Sequence, residues 1–106
     1  MNLKQMQKDI HSLADEKGFW NMPINVSEKV ALIHSELSEF IEHLRNQVMF
    51  VTSDKLPTVC NGEEELADVI IRVLDLAEYY GFDMEKAILS KHEYNKTRPY
   101  KHNKLF

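Results

Sequence analysis

The 106-residue sequence has few of the residues that mark disulfide-rich, membrane-spanning or nucleic-acid-binding proteins. It contains one cysteine, Cys60, so no disulfide can form within the chain and a reducing compartment is expected. No apolar run, such as Val30–Ile33, approaches the length that crosses a bilayer. The first nine residues are polar and lack the apolar core of a signal peptide. We therefore expect a cytoplasmic protein with no membrane partner.

The chain also lacks a surplus of positive charge. It has 13 lysines and arginines against 17 aspartates and glutamates, for a net charge of -4. Proteins that bind polymeric DNA or RNA usually carry a basic surplus, so this class of partner is not expected. A nucleotide is still compatible with this charge, because a divalent metal can bridge acidic side chains to phosphates.

Glycine and proline number three each, and they fall between segments in which apolar residues recur at helical spacing. The first helix is expected to end near Gly18, and a loop containing Trp20 follows. Ser27 is a suitable N-cap for a second helix, and Asn61 for a third. Gly81 is expected to stop the third helix, after which Asp83 caps a fourth.

The sequence therefore predicts an all-α, four-helix, bundle-like fold in one domain, residues 1–106, with a basic tail over roughly residues 97–106. The second and third helices each carry an apolar row that should pack. On the second helix the row is Val30, Ile33, Leu37, Phe40, Ile41 and Leu44; on the third it is Leu66, Val69, Ile70, Val73, Leu76, Ala77 and Tyr80.

Two pairs of acidic residues flank these apolar rows. Glu36 and Glu39 are three residues apart on the second helix, so they share a face, and Glu65 and Asp68 repeat this spacing on the third. If the helices pack through their rows, four carboxylates converge at one edge and repel one another. A divalent cation with oxygen ligands, such as Mg²⁺, would neutralise them.

The spacing alone leaves alternatives open, because acidic residues are common on solvated helix faces. Arg72 and Asp75 continue the acidic face of the third helix, either as a supporting ion pair or as solvated charges. Two other metals are disfavoured: no histidine follows an acidic residue by three, as carboxylate-bridged di-iron bundles require, and no Cys/His cluster has zinc-binding spacing.

Two segments resemble the motifs of the MazG-like, all-α nucleoside triphosphate pyrophosphohydrolases. The first is Ala31–Phe40, ALIHSELSEF, and the second is Glu65–Asp75, ELADVIIRVLD, which contains the E-x-x-D motif of that family. The resemblance covers roughly residues 19–104. The family's first motif is often E-E-x-x-E, and here Ser35 stands at the first position, so no role of a third glutamate is carried over.

The C-terminal segment Lys91–Tyr100, KHEYNKTRPY, also resembles the family, namely the segment that follows its last helix. The resemblance implies that Lys91, Asn95, Arg98 and Tyr100 approach a triphosphate, where lysine supplies a point charge and arginine a planar fork. The alternative is that these residues form a solvent-exposed basic terminus, whose positive charge interacts favourably with the C-terminal end of the helix dipole. In relatives the loop before the second helix helps to form the base pocket, so Trp20 is a candidate for stacking on a nucleobase, although a lone tryptophan is more often core filler.

Taken together, the resemblance implies Mg²⁺-dependent hydrolysis of a nucleoside triphosphate between its α and β phosphates, with Mn²⁺ as an alternative metal. The expected metal ligands are Glu36, Glu39, Glu65 and Asp68, and Glu39 is the candidate that activates the water. A homodimer or homotetramer is expected. The rival hypothesis is a non-catalytic helical oligomerisation or adaptor module that uses its acidic edge for a basic partner, with Ile71 and Leu74 as a subunit contact.

Overall fold

A computed structural model describes residues 2–106 of the chain. Over this range the protein is all-helical, which confirms the predicted fold class. The four helices are α1 (Leu3–Glu16), α2 (Val26–Arg45), α3 (Asn61–Tyr79) and α4 (Met84–Lys96), and a 3-10 turn follows at Tyr100–Asn103. No helix within residues 2–106 is both long enough and apolar enough to cross a membrane.

The ends of the helices follow local capping chemistry, with two corrections to the predicted caps. Asn25, not Ser27, caps α2, and its side chain accepts a hydrogen bond of 3.1 Å from the backbone of Glu28. Cys60, not Asn61, is the N-cap of α3, where Glu63 reaches back to the Cys60 backbone at 3.0 Å. Asp83 caps α4 as predicted.

Helix α3 is the centre of the fold, because it packs against both α2 and α1, whereas α4 touches α1. Among residues 2–106 the buried apolar side chains are Trp20 from the first loop, and Leu74 and Ala77 from α3. Leu74 is only 2% exposed, so its predicted role as a subunit contact is wrong. It fills the centre of the fold instead.

The predicted apolar rows pack only in part. Helix α2 turns Glu36 toward the interior, which leaves Leu37, Ile41 and Leu44 exposed on the neighbouring face. On α3, Leu66 and Ile70 are likewise exposed. The pairing of α2 with α3 therefore positions the acidic residues but does not cover the apolar residues beside them.

Candidate functional site

A cavity of about 570 Å³ lies among α1, α2, α3 and the two loops that flank α2. Its wall has an acidic part and an apolar, aromatic part. The acidic part consists of Glu36, Glu39, Glu64, Glu65, Asp68 and Asp75; the apolar part includes Ile10, Leu13, Ala14, Phe19 and Trp20. The cavity also has cationic side chains, namely Lys17, Lys29, Lys55 and Arg72. It thus offers a small molecule both charged and apolar contacts.

Carboxylates from both predicted acidic pairs meet in this cavity. One oxygen each from Glu36, Glu65 and Asp68 lies within 4.8 Å of the others. Both Glu36 and Glu65 are 7% exposed. Buried carboxylates at this distance repel one another unless a cation or a proton lies between them.

The two oxygens of the Glu65 carboxylate have different surroundings. His43 of α2 lies 3.1 Å from one of its oxygens, and the other oxygen, Oε2, is buried without a hydrogen-bond partner among residues 2–106. Burial raises the pKa of Glu65, the His43 contact opposes the rise, and the adjacent Glu39 carboxyl adds to it. An orphaned buried oxygen is costly, so a bound cation or proton would stabilise this site.

Asp68 lies one helical turn further along α3, and its pKa is also raised. Burial is the largest cause, followed by the negative charges of Glu36 and Glu64, while Lys55 and Arg72 partly offset the rise. The two upward pKa shifts have the same meaning: without a cation, this part of the cavity makes the charged carboxylates less favourable than they are in water.

The raised pKa values predict that the metal-free protein loses stability as pH rises. Folding favours the protonated forms of Glu65 and Asp68, so their contribution is present below the ordinary values of 4.5 and 3.8 and is lost as pH rises through the higher folded values. Thermal unfolding in EDTA over this acidic range should show it. The double variant Glu65→Gln, Asp68→Asn should have a flatter dependence on pH, and an unchanged slope would contradict the account.

Glu36 and Glu39 have different surroundings although they share a face of α2. Glu36 is buried and accepts a 2.9 Å hydrogen bond from Nε of Arg72. Glu39 is exposed, lines the cavity and lies beside Glu65, but it is outside the three-oxygen cluster. Glu39 is therefore open to the cavity on one side and adjacent to the Glu65 carboxyl on the other.

The loop between α2 and α3 contacts Glu64, the residue before Glu65 on α3. The Ser53 hydroxyl, which is buried, donates a hydrogen bond to Glu64. The loop itself is closed onto α3 by a backbone bond of 2.9 Å from Gly62 to Met49. Glu64 thus serves to fix the loop against the first turn of α3, and Lys55 of that loop comes to line the cavity.

Trp20 lies in the cavity wall, but its ring already has close neighbours. Tyr79 stacks on it with ring centroids 4.6 Å apart, and the Lys29 ammonium lies 4.3 Å from the ring centroid. The indole N–H donates a 2.8 Å hydrogen bond to Asp75, which His11 also contacts at 2.7 Å. These contacts fix the indole in place, and its role in stacking on a base stays a prediction.

The four predicted phosphate-binding residues at the C-terminal end do not line this cavity. Lys91 and Asn95 lie on α4, Arg98 follows the helix, and Tyr100 begins the 3-10 turn. The cations of Lys91 and Arg98 pack against the Tyr94 ring, at 4.8 and 5.6 Å from its centroid. Their contact with a triphosphate stays a prediction.

Several side chains of the site were not assigned to it from the sequence. One of them, His43, had a usable signal, because it is seven residues after Glu36 and shares its helix face. Arg72 was predicted either to form a supporting ion pair with Asp75 or to be solvated, and its ion pair is with Glu36 instead. The contact of His11 with Asp75 joins α1 to α3. No spacing within one helix could have shown that contact.

No model of a known protein family matches this chain, and comparisons with curated proteins and with solved structures also give no match.

Proposed function

We propose that this protein is a Mg²⁺-dependent pyrophosphohydrolase that converts a nucleoside or deoxynucleoside triphosphate to the monophosphate and pyrophosphate. One observation carries the proposal: carboxylates from two helices converge within 4.8 Å in a cavity that also has cationic and aromatic walls. The resemblance of the same two helices to the MazG-like family supports it, since the converging residues belong to the matching motifs.

The donor set fits a hard divalent cation. All three clustered atoms are carboxylate oxygens, the ligands that Mg²⁺ and Mn²⁺ favour. The orphaned Oε2 of Glu65 supports this fit, because it lacks a partner where a cation would supply one. Glu36, Glu65 and Asp68 would hold the ion, with Glu39 beside them. When bound, the ion would polarise phosphate oxygens and offset their charge.

Other residues of the cavity would supply the general base and the positive charges that the reaction needs. Glu39 is the carboxylate that is left outside the cluster, so it can orient a water molecule and accept its proton as the water adds to phosphorus. The bond between the α–β bridging oxygen and the attacked phosphorus then breaks. Lys17 and Lys55, which line the cavity, would offset the charge of the triphosphate.

Homo-oligomerisation is the second part of the proposal, and the surface of a single chain supports it. The chain exposes 8277 Å², whereas a folded monomer of this size is expected to expose about 6,200 Å². Its radius of gyration is 16.2 Å, against about 13 Å for a compact domain of 100 residues. A second copy that covers the exposed apolar rows of α2 and α3 would account for the excess area.

The adaptor alternative would also use the exposed apolar rows of α2 and α3, as an oligomerisation surface. That alternative needs neither a cavity nor a cluster of buried carboxylates, so the cavity favours the enzyme. A module that binds a basic partner through its acidic edge would show no need for Mg²⁺.

The test is pyrophosphate release from a panel of ribo- and deoxynucleoside triphosphates, with Mg²⁺ and with EDTA. We expect release from one or a few substrates, in equal amounts with the monophosphate by phosphorus NMR, and none in EDTA. Release of inorganic phosphate and a diphosphate instead would contradict cleavage between the α and β phosphates. A folded protein that releases pyrophosphate from no triphosphate would favour the adaptor.

A further inference from the structure

Arg72 lines the cavity and forms a hydrogen bond with one residue of the acidic cluster. It is on α3, four residues after Asp68, and its Nε donates a 2.9 Å hydrogen bond to Glu36 of α2. Its side chain is 35% exposed, whereas that of Glu36 is 10% exposed. The ion pair therefore compensates a buried carboxylate from a position that is still open to the cavity.

The ion pair with Glu36 involves only one of the three nitrogens of the Arg72 guanidinium. A guanidinium has N–H donors on Nε and on both terminal nitrogens. Only Nε has a hydrogen-bond partner within residues 2–106. The planar fork of terminal nitrogens, which is the part of arginine that binds phosphate oxygens in pairs, is thus available in the cavity.

A cation bound by the cluster would weaken the attraction between Glu36 and Arg72. Arg72 contacts one oxygen of this carboxylate, Oε1, and a divalent ion on the same carboxylate attracts it more strongly than a single positive charge does. The other carboxylates near Arg72 on α3 already have neighbours of their own. Asp68 belongs to the same cluster, and Oδ1 of Asp75 accepts a hydrogen bond from Trp20 and contacts His11.

We propose that Arg72 changes partner during binding: it compensates Glu36 in the metal-free protein and binds phosphate oxygens of the triphosphate once the cluster holds a divalent cation. This inference rests on the proposed function, since it needs both the cation and the triphosphate. It makes Arg72 a substrate-binding residue that also offsets the charge of Glu36 when no cation is bound.

Binding measurements with two probes, Mn²⁺ alone and inorganic tripolyphosphate with Mg²⁺, test the change of partner without requiring turnover or a known base. The variants are Arg72→Gln, which removes the charge, and Arg72→Lys, which keeps the charge but not the planar fork. Arg45→Gln is the matched control, because Arg45 lies on α2 and pairs with Glu42 on the exposed surface. Circular dichroism and thermal unfolding verify that each variant is folded.

We expect Arg72→Gln to bind Mn²⁺ at least as tightly as the wild type, because a competing charge is gone. It should bind tripolyphosphate about tenfold to hundredfold more weakly, the range for lost hydrogen bonds to a charged group. Arg72→Lys should lose less affinity, and Arg45→Gln none. If Arg72→Gln does not fold, the affinity of Arg72→Lys for tripolyphosphate, relative to Arg45→Gln, decides the question.

Several results would overturn the inference. Wild-type affinity of Arg72→Gln for tripolyphosphate would show that Arg72 does not contact phosphate. Loss of Mn²⁺ binding in Arg72→Gln would show that Arg72 only builds the cation site. A wild-type protein that binds Mn²⁺ but no tripolyphosphate would also overturn it. Failure of the wild type to bind Mn²⁺ would be a different result, because it overturns the proposed function itself.

Discussion

Replacement of Glu39 by glutamine is expected to lower the rate of pyrophosphate release by about 10²- to 10⁴-fold, the usual contribution of a general base. Glutamine has nearly the same shape but cannot accept the proton from water. Because Glu39 is exposed and lies outside the three-oxygen cluster, the fold should be unaffected. Circular dichroism and a continuous assay of pyrophosphate release measure the two effects.

Glu42→Gln is the matched control for this prediction. Glu42 is on the same helix, one turn from Glu39, and forms an exposed ion pair with Arg45 at 3.4 Å rather than lining the cavity. The control should keep full activity. Full activity in Glu39→Gln would remove Glu39 from the mechanism, and equal losses in both variants would point to a general effect of charge on α2.

Replacement of Ile41 or Ile70 by lysine is expected to dissociate the homo-oligomer. Ile41 is 50% exposed and Ile70 is 55% exposed in one chain. Specific interfaces bury about 1,600 Å² in total over both partners, and the excess surface of this chain is sufficient for that. A lysine in an apolar interface would bring an unpaired charge out of water, which costs several kcal/mol, roughly enough to abolish assembly at micromolar concentration.

Light scattering coupled to size-exclusion chromatography would measure the assembly. Leu89→Lys on α4 is the matched control, since Leu89 is 61% exposed but lies on a helix outside the α2–α3 pair. The wild type and Leu89→Lys should elute as oligomers, and Ile41→Lys and Ile70→Lys as monomers or as unfolded chains. A monomeric wild type would contradict the proposal that a second copy covers these rows.

The sequence was sufficient to predict the helices because their signals are local. Apolar spacing and turn residues placed all four helices, and Gly18 and Gly81 have positive φ angles of 90° and 73° where two of them end. The N-caps of α2 and α3 were predicted wrongly, by two residues and by one residue, because more than one residue near each helix start can occupy the capping position. Such choices depend on the geometry of the entering loop.

The face that each helix buries was harder to predict. The apolar row of α2 was expected to pack on α3, yet Glu36 is buried while Leu37 and Ile41 are exposed. Hydrophobicity indicates which residues avoid water in the final assembly, but it does not tell whether another helix of the same chain or a second chain covers them. Leu74 shows the opposite error, since a residue predicted to lie off the main row is the most deeply buried apolar side chain.

For the site, helical spacing predicted which acidic residues share a face, and the structure brings three of the four predicted ligands within 4.8 Å. The contacts that support them come from other elements. His43 reaches Glu65 from α2 to α3, and Arg72 reaches Glu36 in the opposite direction. A single sequence does not contain that information, because it requires the packing of two helices to be known.

The proposed activity depends most directly on whether the acidic cluster binds a divalent cation. The decisive measurement is a titration with Mn²⁺, followed by electron paramagnetic resonance, of the wild type, of Asp68→Asn and of Asp54→Asn. Asp54 is an exposed aspartate in the loop between α2 and α3 and does not line the cavity. We expect the wild type and Asp54→Asn to bind Mn²⁺ with equal affinity and Asp68→Asn to bind at least tenfold more weakly, roughly the effect of one lost charged ligand. Absence of Mn²⁺ binding by the wild type, or equal binding by all three proteins, would contradict the account.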